Sequence, residues 1–406
     1  MDVNRIEQTR RELEKQGKKI INLSSGNPGE FGVRFPQEIL SRAFSKFQTE
    51  PVYSPDPKGN VEARRAVVQF YEQRGLKISA ENILLTSGTS ESYLHLFKLL
   101  AKPGDEILFP NPSYPLFDHI AKLADIELNH YELDANTEGW QIDLKNLESK
   151  ISPKTKAIVL VSPNNPTGGV LTGPVLSKVL AIAQKHNLTV ISDEVFSEFI
   201  FDGEIFPRAC ALADSAAAQN VNIFTLNGIS KTYALPGLKL SWIVATGPRA
   251  AEYLEELELS VDTLLACNQM SQAMLPDIIV QGDEFLQNYR ARVEQSRNTA
   301  MKILGSSQNI TFNKPCGAFY IFAQIRNFPG TDEDFVIEIM KRTGIFVHPG
   351  YFYDYEKTGS KGVVPGSPFE EWSGLHVLIS FLMEAGELSS TLERFVQATN
   401  LLCHRA

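Results

Sequence analysis

Residues 226–239 (LNGISKTYALPGLK) join two apolar segments, 221–226 and 240–245, and surround Lys231 with small and apolar neighbours. Most lysines only solvate a protein surface. A lysine amine that loses its hydration, however, has a lowered pKa and becomes a nucleophile toward an aldehyde. The stretch therefore places a candidate nucleophile, Lys231, directly after a predicted strand.

Three other predicted strands also end in polar or small residues. They are followed by Asp193, by 162–169 (SPNNPTGG) and by 86–91 (TSGTSE). Taken singly, helix capping and turn formation explain each segment. Taken together, they supply an acid, two asparagines that can donate hydrogen bonds, and a helix start whose N–H groups can bind a phosphate. With Lys231, these are the groups that pyridoxal phosphate requires.

Short apolar strands alternate with helical patterns through the middle of the chain. The predicted strands are 83–85, 106–109, 157–161, 188–192, 221–226 and 240–245. Near-continuous apolar strands in such an alternation predict a largely parallel sheet with helices on both faces. Active sites of these sheets lie at the carboxyl ends of the strands, where the polar segments above are expected to meet.

The length of the chain predicts two domains. Its 406 residues exceed the roughly 250–300 that one hydrophobic core supports. After a long helical pattern over 283–304, strands mix with helices. We therefore expect an α/β protein whose large domain, 46–285, contains a mostly parallel seven-stranded sheet. A smaller α+β domain is expected from both termini, 1–45 and 286–406.

Composition and missing motifs argue against other classes. Hydrophobic residues make up 43% and charged residues 21%, which is typical of a globular chain. A net charge of −9 disfavours nucleic acid as a partner. Scattered cysteines and histidines predict no disulfide framework and no metal site. There is no dehydrogenase, nucleotide-hydrolase, serine-hydrolase or zinc-protease motif. Without a signal-like start or a ~20-residue apolar run, we expect a cytoplasmic protein that does not bind membranes.

The sequence resembles the class I/II aminotransferases of the aspartate aminotransferase superfamily. The resemblance extends over nearly the whole chain, through LSSGNP (23–28), YSP (53–55), NNPTG (164–168), SDEVF (192–196), NGISK (227–231), GAFY (317–320) and PG (349–350). It implies a pyridoxal-phosphate-dependent aminotransferase that forms a Schiff base with Lys231. Such an enzyme moves an amino group between a small-molecule amino donor and a 2-oxo acid.

The resemblance also implies a role for individual residues. Lys231 carries the cofactor and moves the proton, and Asp193 pairs with the ring nitrogen of the cofactor. Asn165 donates to a ring oxygen and borders the substrate, while Tyr114 stacks on the ring. The residues implied to hold the phosphate are small or basic: Ser87, Gly88, Thr89, Ser230 and Lys239.

Two further residues concern the subunit partner and the substrate. Tyr53 is implied to reach the phosphate of the neighbouring subunit, which predicts a homodimer. Gly26 lies in the segment that corresponds to the family's substrate-covering loop.

Three residues depart from the family pattern. Lys239 stands where arginine is usual, so the charge is kept but the bidentate fork is lost. Phe196 stands where a tyrosine usually donates to the ring oxygen. Leu378, in VLISF (377–381), occupies the position of the arginine that binds the substrate α-carboxylate.

The leucine at position 378 leaves several interpretations open. The substrate lacks an α-carboxylate, another cation such as Arg34 or His348 compensates, or ordinary amino acids bind poorly. A shift of one residue in strand register would instead make Leu378 a core residue. Two alternative functions also remain: a carbon–sulfur lyase or another non-transaminating enzyme of the same fold, and an inactive cofactor-binding regulator.

Overall fold

The computed structural model describes residues 4–49, 53–136, 139–203, 205–213, 215–353 and 375–403. The α-helices in these ranges are α1 (Arg5–Lys15), α2 (Gln37–Thr49), α3 (Val61–Glu72), α4 (Thr89–Leu100), α5 (Leu116–Ala124), α6 (Leu144–Ser149), α7 (Gly173–His186), α8 (Ile229–Thr232), α9 (Ala250–Leu264), α10 (Gln269–Gln281), α11 (Asp283–Leu304), α12 (Asp332–Thr343) and α13 (Ala385–Cys403). The strands are β1 (Ile21–Asn22), β2 (Ile83–Thr86), β3 (Glu106–Asn111), β4 (Glu127–Asn136), β5 (Gly139–Ile142), β6 (Thr155–Val161), β7 (Thr189–Asp193), β8 (Ile223–Gly228), β9 (Ser241–Thr246), β10 (Ile310–Phe312), β11 (Tyr320–Ile325), β12 (Ile345–Phe346), β13 (His348–Pro349) and β14 (His376–Ser380).

The large sheet has eight strands in the order β2-β9-β8-β7-β6-β3-β4-β5. The run from β8 to β4 is parallel throughout, whereas β9 pairs antiparallel with both of its neighbours. The predicted fold class is confirmed, and the sheet has one strand more than the seven predicted. The short edge strand β5 pairs antiparallel with the end of β4, from Leu133 opposite Ile142 to Asn136 opposite Gly139.

Both faces of this sheet are covered, which explains why its central strands are apolar at nearly every position. Along β6, Ala157 and Val159 belong to the hydrophobic cluster formed with α4, α5 and α9. The alternate residues Ile158 and Leu160 belong to the cluster formed with α7. Side chains that alternate between two buried faces leave polar residues room only at the strand ends.

A four-stranded antiparallel sheet, β10-β11-β14-β13, lies in the C-terminal part of the chain. The two ends of the chain meet here, because β1 pairs in parallel with β12, Ile21 opposite Ile345, and α1 packs on α12. These contacts agree with a smaller unit built from both termini. The proposed boundaries near residues 45 and 285 stay a prediction.

Membrane-spanning helices and metal-binding clusters are both absent from the described residues. No helix in these parts of the chain is long and apolar enough to span a bilayer. The described residues also contain no His, Cys, Asp and Glu cluster that could hold a metal ion. None of the four cysteines forms a disulfide bond: Cys210, Cys267, Cys316 and Cys403.

Candidate active site

A cavity of about 470 Å³ lies at the carboxyl ends of β6, β7 and β8, beside the start of α4. The parallel arrangement of these strands brings together polar segments that are far apart in the sequence. Ten of the predicted site residues line it: Gly26, Gly88, Thr89, Tyr114, Asn165, Asp193, Phe196, Ser230, Lys231 and Lys239.

Lys231 lies on the one-turn helix α8 that follows β8. Its Nζ donates a hydrogen bond to the carbonyl oxygen of Gly26 at 2.8 Å, and it lies 5.8 Å from the ring centroid of Phe196. Burial lowers the pKa of the Lys231 amine to about 8, although the nearby Asp193 carboxylate opposes this effect. Half of the amines are therefore uncharged near pH 8, as a nucleophile toward an aldehyde requires.

Asp193 is the last residue of β7 and is buried. Its Oδ1 accepts a hydrogen bond from the Val195 N–H at 3.1 Å, and its Oδ2 accepts one from the Tyr93 hydroxyl at 3.0 Å. Burial raises the pKa of Asp193 to about 6, against the lowering effects of Val195, Tyr93 and Lys231. The side chain is thus mostly a carboxylate at pH 7, with its charge held inside the protein.

The start of α4 forms the basic end of the cavity. Gly88 precedes the helix with φ 138° and ψ 156°, and no side chain caps the helix start. A Cβ at Gly88 would lie 3.2 Å from the Nζ of Lys239, so glycine keeps this amine close to the backbone. Free N–H groups and a lysine amine together favour an anion such as a phosphate.

Ser87 lies next to this anion site but does not line the cavity. Its N–H donates a hydrogen bond to the Glu91 carboxylate at 2.8 Å, which is one half of the capping arrangement considered for this segment. The helix-capping and anion-binding interpretations are therefore compatible, because they use different N–H groups.

The cavity also contains an amide oxygen that accepts no hydrogen bond and an accessible aromatic ring. The Oδ1 of Asn165 is buried and makes no hydrogen bond within the described structure. Amide oxygen and nitrogen are exchanged by a simple flip, so this side chain can donate to a ligand. Tyr114 is 43% exposed beside the cavity. With Lys231 and Asp193, these groups fit pyridoxal phosphate.

Besides Ser87, three predicted site residues lie outside this cavity. Arg34 donates to the backbone carbonyls of Gly29 and Val33. Tyr53 is 66% exposed and borders a separate cavity of about 440 Å³. Leu378 is fully buried in β14.

The register of β14 shows where Leu378 lies relative to the site. Leu378 pairs with Phe322 on one side and with His348 on the other, while Ser380 pairs with Tyr320. Cross-strand partners share a face of the sheet, so Leu378 lies on the same face as Tyr320 and His348, which both line the cavity. Leu378 itself has only an apolar side chain and does not line the cavity.

His348 does not supply a positive charge at this end of the cavity. Burial lowers the pKa of its imidazole to about 4, and its Nδ1 lies 2.9 Å from the Tyr353 hydroxyl. Among the described residues that line the cavity, the Lys and Arg side chains are Lys231 and Lys239. Both lie where the covalent attachment and the phosphate are expected.

Three side chains that shape the site were assigned no role from the sequence. Tyr93 contacts Asp193 from α4, and a Cβ at Gly26 would overlap the hydroxyl of Tyr320. Arg208 forms buried ion pairs with Glu194 at 3.2 Å and with Glu198. Each role depends on a contact between distant segments, which even the GAFY motif that contains Tyr320 does not reveal.

Comparison with known proteins identifies the family. Residues 18–361 match the family model described as aminotransferase class I and II. The chain belongs to this family. It is 33% identical over 319 residues to the glutamate-pyruvate aminotransferase AlaA of Escherichia coli, which covers 77% of each chain. It is 31% identical over 353 residues to an alanine aminotransferase of Mycobacterium tuberculosis, which covers 84% of this chain and 80% of the relative.

Solved aminotransferase structures share the whole fold. An alanine aminotransferase from Pyrococcus furiosus superposes with a TM-score of 0.86 at 28% identity, over 98% of this chain and 96% of the other. An aminotransferase from Escherichia coli gives a TM-score of 0.85 at 28% identity, over 98% and 95%. The predicted family, aminotransferase activity and pyridoxal 5′-phosphate cofactor are thereby confirmed. The named relatives favour amino transfer over the carbon–sulfur lyase alternative.

Proposed function

We propose that this class I and II aminotransferase binds pyridoxal 5′-phosphate through Lys231 and carries out amino transfer in the 470 Å³ cavity. When bound, the cofactor supplies an electron sink that makes the substrate α-carbon acidic. One observation carries the proposal. The Lys231 amine and the Asp193 carboxylate lie on adjacent strand ends and face the same cavity as the anion site at Gly88.

The remaining roles follow from the chemistry of each group. The Lys231 amine, with its lowered pKa, would move the proton from the substrate α-carbon to the C4′ carbon of the cofactor during amino transfer. The Asp193 carboxylate holds a proton on the ring nitrogen. The phosphate is proposed to be held by Ser87, Gly88 and Thr89 at the start of α4, together with Ser230 and Lys239 from the segment around α8.

Recognition of the substrate α-carboxylate is proposed to be atypical. Leu378 offers no charge, His348 is uncharged at neutral pH, and Arg34 is hydrogen-bonded to backbone carbonyls. Arg34 keeps its charge but uses donors on these carbonyls, and a carboxylate beside the neutral Leu378 and His348 is poorly solvated. We therefore propose that the enzyme discriminates only weakly between α-amino acids and amines that lack the α-carboxylate.

The assembly is proposed to be a cytoplasmic homodimer in which Tyr53 reaches the phosphate of the neighbouring subunit. Tyr53 is exposed beside the 440 Å³ cavity that Cys267 and Asn268 also line, which suits a partner's surface. Four cysteines that form no disulfide bond suit a reducing compartment. The large domain is proposed to comprise 46–285.

A screen of amino donors tests the proposed function. The names of the relatives make alanine and glutamate, with pyruvate as the acceptor, the first substrates to compare with simple amines. Each donor is mixed with holoenzyme, and the cofactor absorbance is followed through the first half-reaction. We expect conversion to the amine form with at least one donor. If no donor gives that change, the proposed amino transfer is wrong.

The variant Leu378→Arg tests carboxylate recognition in the same assay. A new guanidinium at β14 should raise kcat/KM for alanine or glutamate by about tenfold or more relative to amines without a carboxylate, since each charged hydrogen bond contributes roughly 1.5–3 kcal/mol. Leu378→Met is the control for a change of side chain without charge. Equal kcat/KM ratios in wild type and Leu378→Arg would contradict the carboxylate argument.

A further inference from the structure

Tyr93 lies between the cavity and the packed face of α4. Its ring centroid is 5.6 Å from that of Phe97 and 4.8 Å from that of Phe117, and the side chain is only 1% exposed. This packing fixes the direction of the ring. The Tyr93 hydroxyl is consequently held at the cavity wall, where it meets Asp193.

The contact between these two residues is directional. The Tyr93 hydroxyl donates to the Oδ2 of Asp193 at 3.0 Å, and the Val195 N–H donates to Oδ1. Burial, followed by the Asp193 charge, raises the pKa of the Tyr93 phenol far above its ordinary value, so the phenol stays protonated and acts as a donor. Each carboxylate oxygen can accept a second hydrogen bond, which leaves Asp193 free to accept one from the cavity.

We propose that Tyr93 is a positioning residue that sets the orientation and basicity of Asp193. It thereby keeps the proton that Asp193 and the cofactor share on the ring nitrogen of the cofactor. The inference rests on the proposed function, because it takes Asp193 to face that nitrogen. A donor to a carboxylate stabilises its charged form and weakens it as a base. Since the carboxylate and the ring compete for one proton, a weaker carboxylate leaves the proton with the ring.

The surroundings of Asp193 make Tyr93 important in the loaded enzyme. Burial raises the pKa of Asp193, while Val195, Tyr93 and Lys231 lower it. In the holoenzyme the Lys231 amine is occupied by the cofactor. Of the two side chains that lower this pKa, Tyr93 therefore remains to stabilise the Asp193 carboxylate.

The protonation state of the ring nitrogen tests the inference directly. Holoenzyme is prepared with ¹⁵N-labelled pyridoxal phosphate, and the ring-nitrogen chemical shift is followed as the pH is raised, with no amino donor present. We expect Tyr93→Phe to lose the ring proton at lower pH than wild type. The control Tyr131→Phe removes another buried hydroxyl, which donates to the Val159 carbonyl at 2.8 Å, and should titrate like wild type.

Kinetics give a second readout. Tyr93→Phe should lower kcat of the first half-reaction by about tenfold or more with little change in KM, because the lost hydrogen bond has a charged acceptor. Identical ring-nitrogen titrations in wild type and Tyr93→Phe would overturn the inference.

A variant that keeps the shape of tyrosine guards against a folding defect. Fluorotyrosine at position 93 has a more acidic phenol and is a stronger donor to Asp193, so the ring nitrogen of the cofactor should keep its proton to higher pH. If the ring nitrogen loses its proton at the same pH as in wild type, or at lower pH, the inference is overturned. Because the titration needs no donor, its outcome is independent of whether any donor converts the wild-type cofactor. Failure of the proposed function is therefore recognised separately.

Discussion

At the residue scale, Gly26 shows how closely the covering segment approaches the reactive amine. The Lys231 amine donates to the Gly26 carbonyl, and a Cβ at Gly26 would lie 3.6 Å from Nζ and would overlap the Tyr320 hydroxyl. The position therefore has no room for a side chain unless Tyr320 moves. We infer that Gly26 is required by close packing around the amine, independently of any role in covering the substrate.

We expect Gly26→Ala to reduce kcat/KM by about tenfold or more, because a small misplacement of reacting groups is costly. Gly173→Ala is the matched control, since no atom lies within 4 Å of a Cβ built there. The measurement is the first half-reaction, with circular dichroism to verify folding. Wild-type kinetics in Gly26→Ala would show that the segment moves away from Lys231 in the working enzyme.

Single residues differ in how far the sequence alone could place them. Lys231 and Asp193 lie at the ends of apolar strands. Because the alternation of strands and helices already predicts a parallel sheet, the sequence predicts that these strand ends lie close together. Tyr93 could not be assigned in this way, because its partner Asp193 lies 100 residues further on and no motif links them. For Leu378, the sequence showed only that an arginine is missing from a known pattern. It did not show which residues surround Leu378.

At the element scale, a buried polar network joins the segment that follows β7 to strand β8. Arg208 donates to Glu194, Glu198 and Ser197, and Asn227 donates to the same Ser197 hydroxyl at 3.1 Å. Asn227 lies in β8, four residues before Lys231, and Glu194 follows Asp193 directly. The network therefore connects the chain segments next to Asp193 and Lys231.

Arg208→Met should lower the free energy of unfolding by about 3–5 kcal/mol, because it leaves the buried Glu194 carboxylate without a counter-charge, whereas Glu198 keeps its pair with Arg74. Arg249→Met is the control, since it removes a solvent-exposed pair with Glu252 that contributes little to stability. Urea unfolding of both variants checks the difference. Equal losses would show that the Arg208 network does not stabilise the fold.

The same variant has a predicted pH dependence. Burial raises the pKa of Glu194 from 4.5 to about 7, so the folded state binds this proton more tightly than the unfolded state. The stabilisation from this group is complete below pH 4.5 and is lost as the pH rises through about 7. Without Arg208 the pKa rises further, so the stability deficit of Arg208→Met should be larger at alkaline than at mildly acidic pH. A deficit that is constant with pH would contradict this.

Some elements could not be predicted because packing outweighs local preference. Helix α10 contains Pro276 in its interior, where proline normally disfavours a helix, yet it packs against α2 and α3. The edge strand β5 is only four residues long and has no apolar run. By contrast α11 spans Asp283–Leu304, as the helical pattern predicts, because its length makes the periodicity unambiguous.

At the scale of the whole molecule, the proposed homodimer places Tyr53 and Lys231 in one active site from two subunits. Lys231→Ala and Tyr53→Ala are therefore expected to complement each other. A hybrid dimer has one site with both defects and one site with neither. When the two variants are unfolded together and refolded, the mixture should recover half-reaction activity above that of either variant treated alone. No recovery in a mixture that forms hybrids would show that Tyr53 acts within its own subunit or not at all.

The central claim is that Lys231 carries the cofactor, and borohydride reduction followed by peptide mapping tests it most directly. Reduction makes the bond between cofactor and lysine permanent, so that mass spectrometry can locate it. The account predicts the added mass on the peptide that contains Lys231, and its absence from the correctly folded Lys231→Ala variant. The added mass on Lys239 or on any other lysine of the wild-type protein would contradict the account.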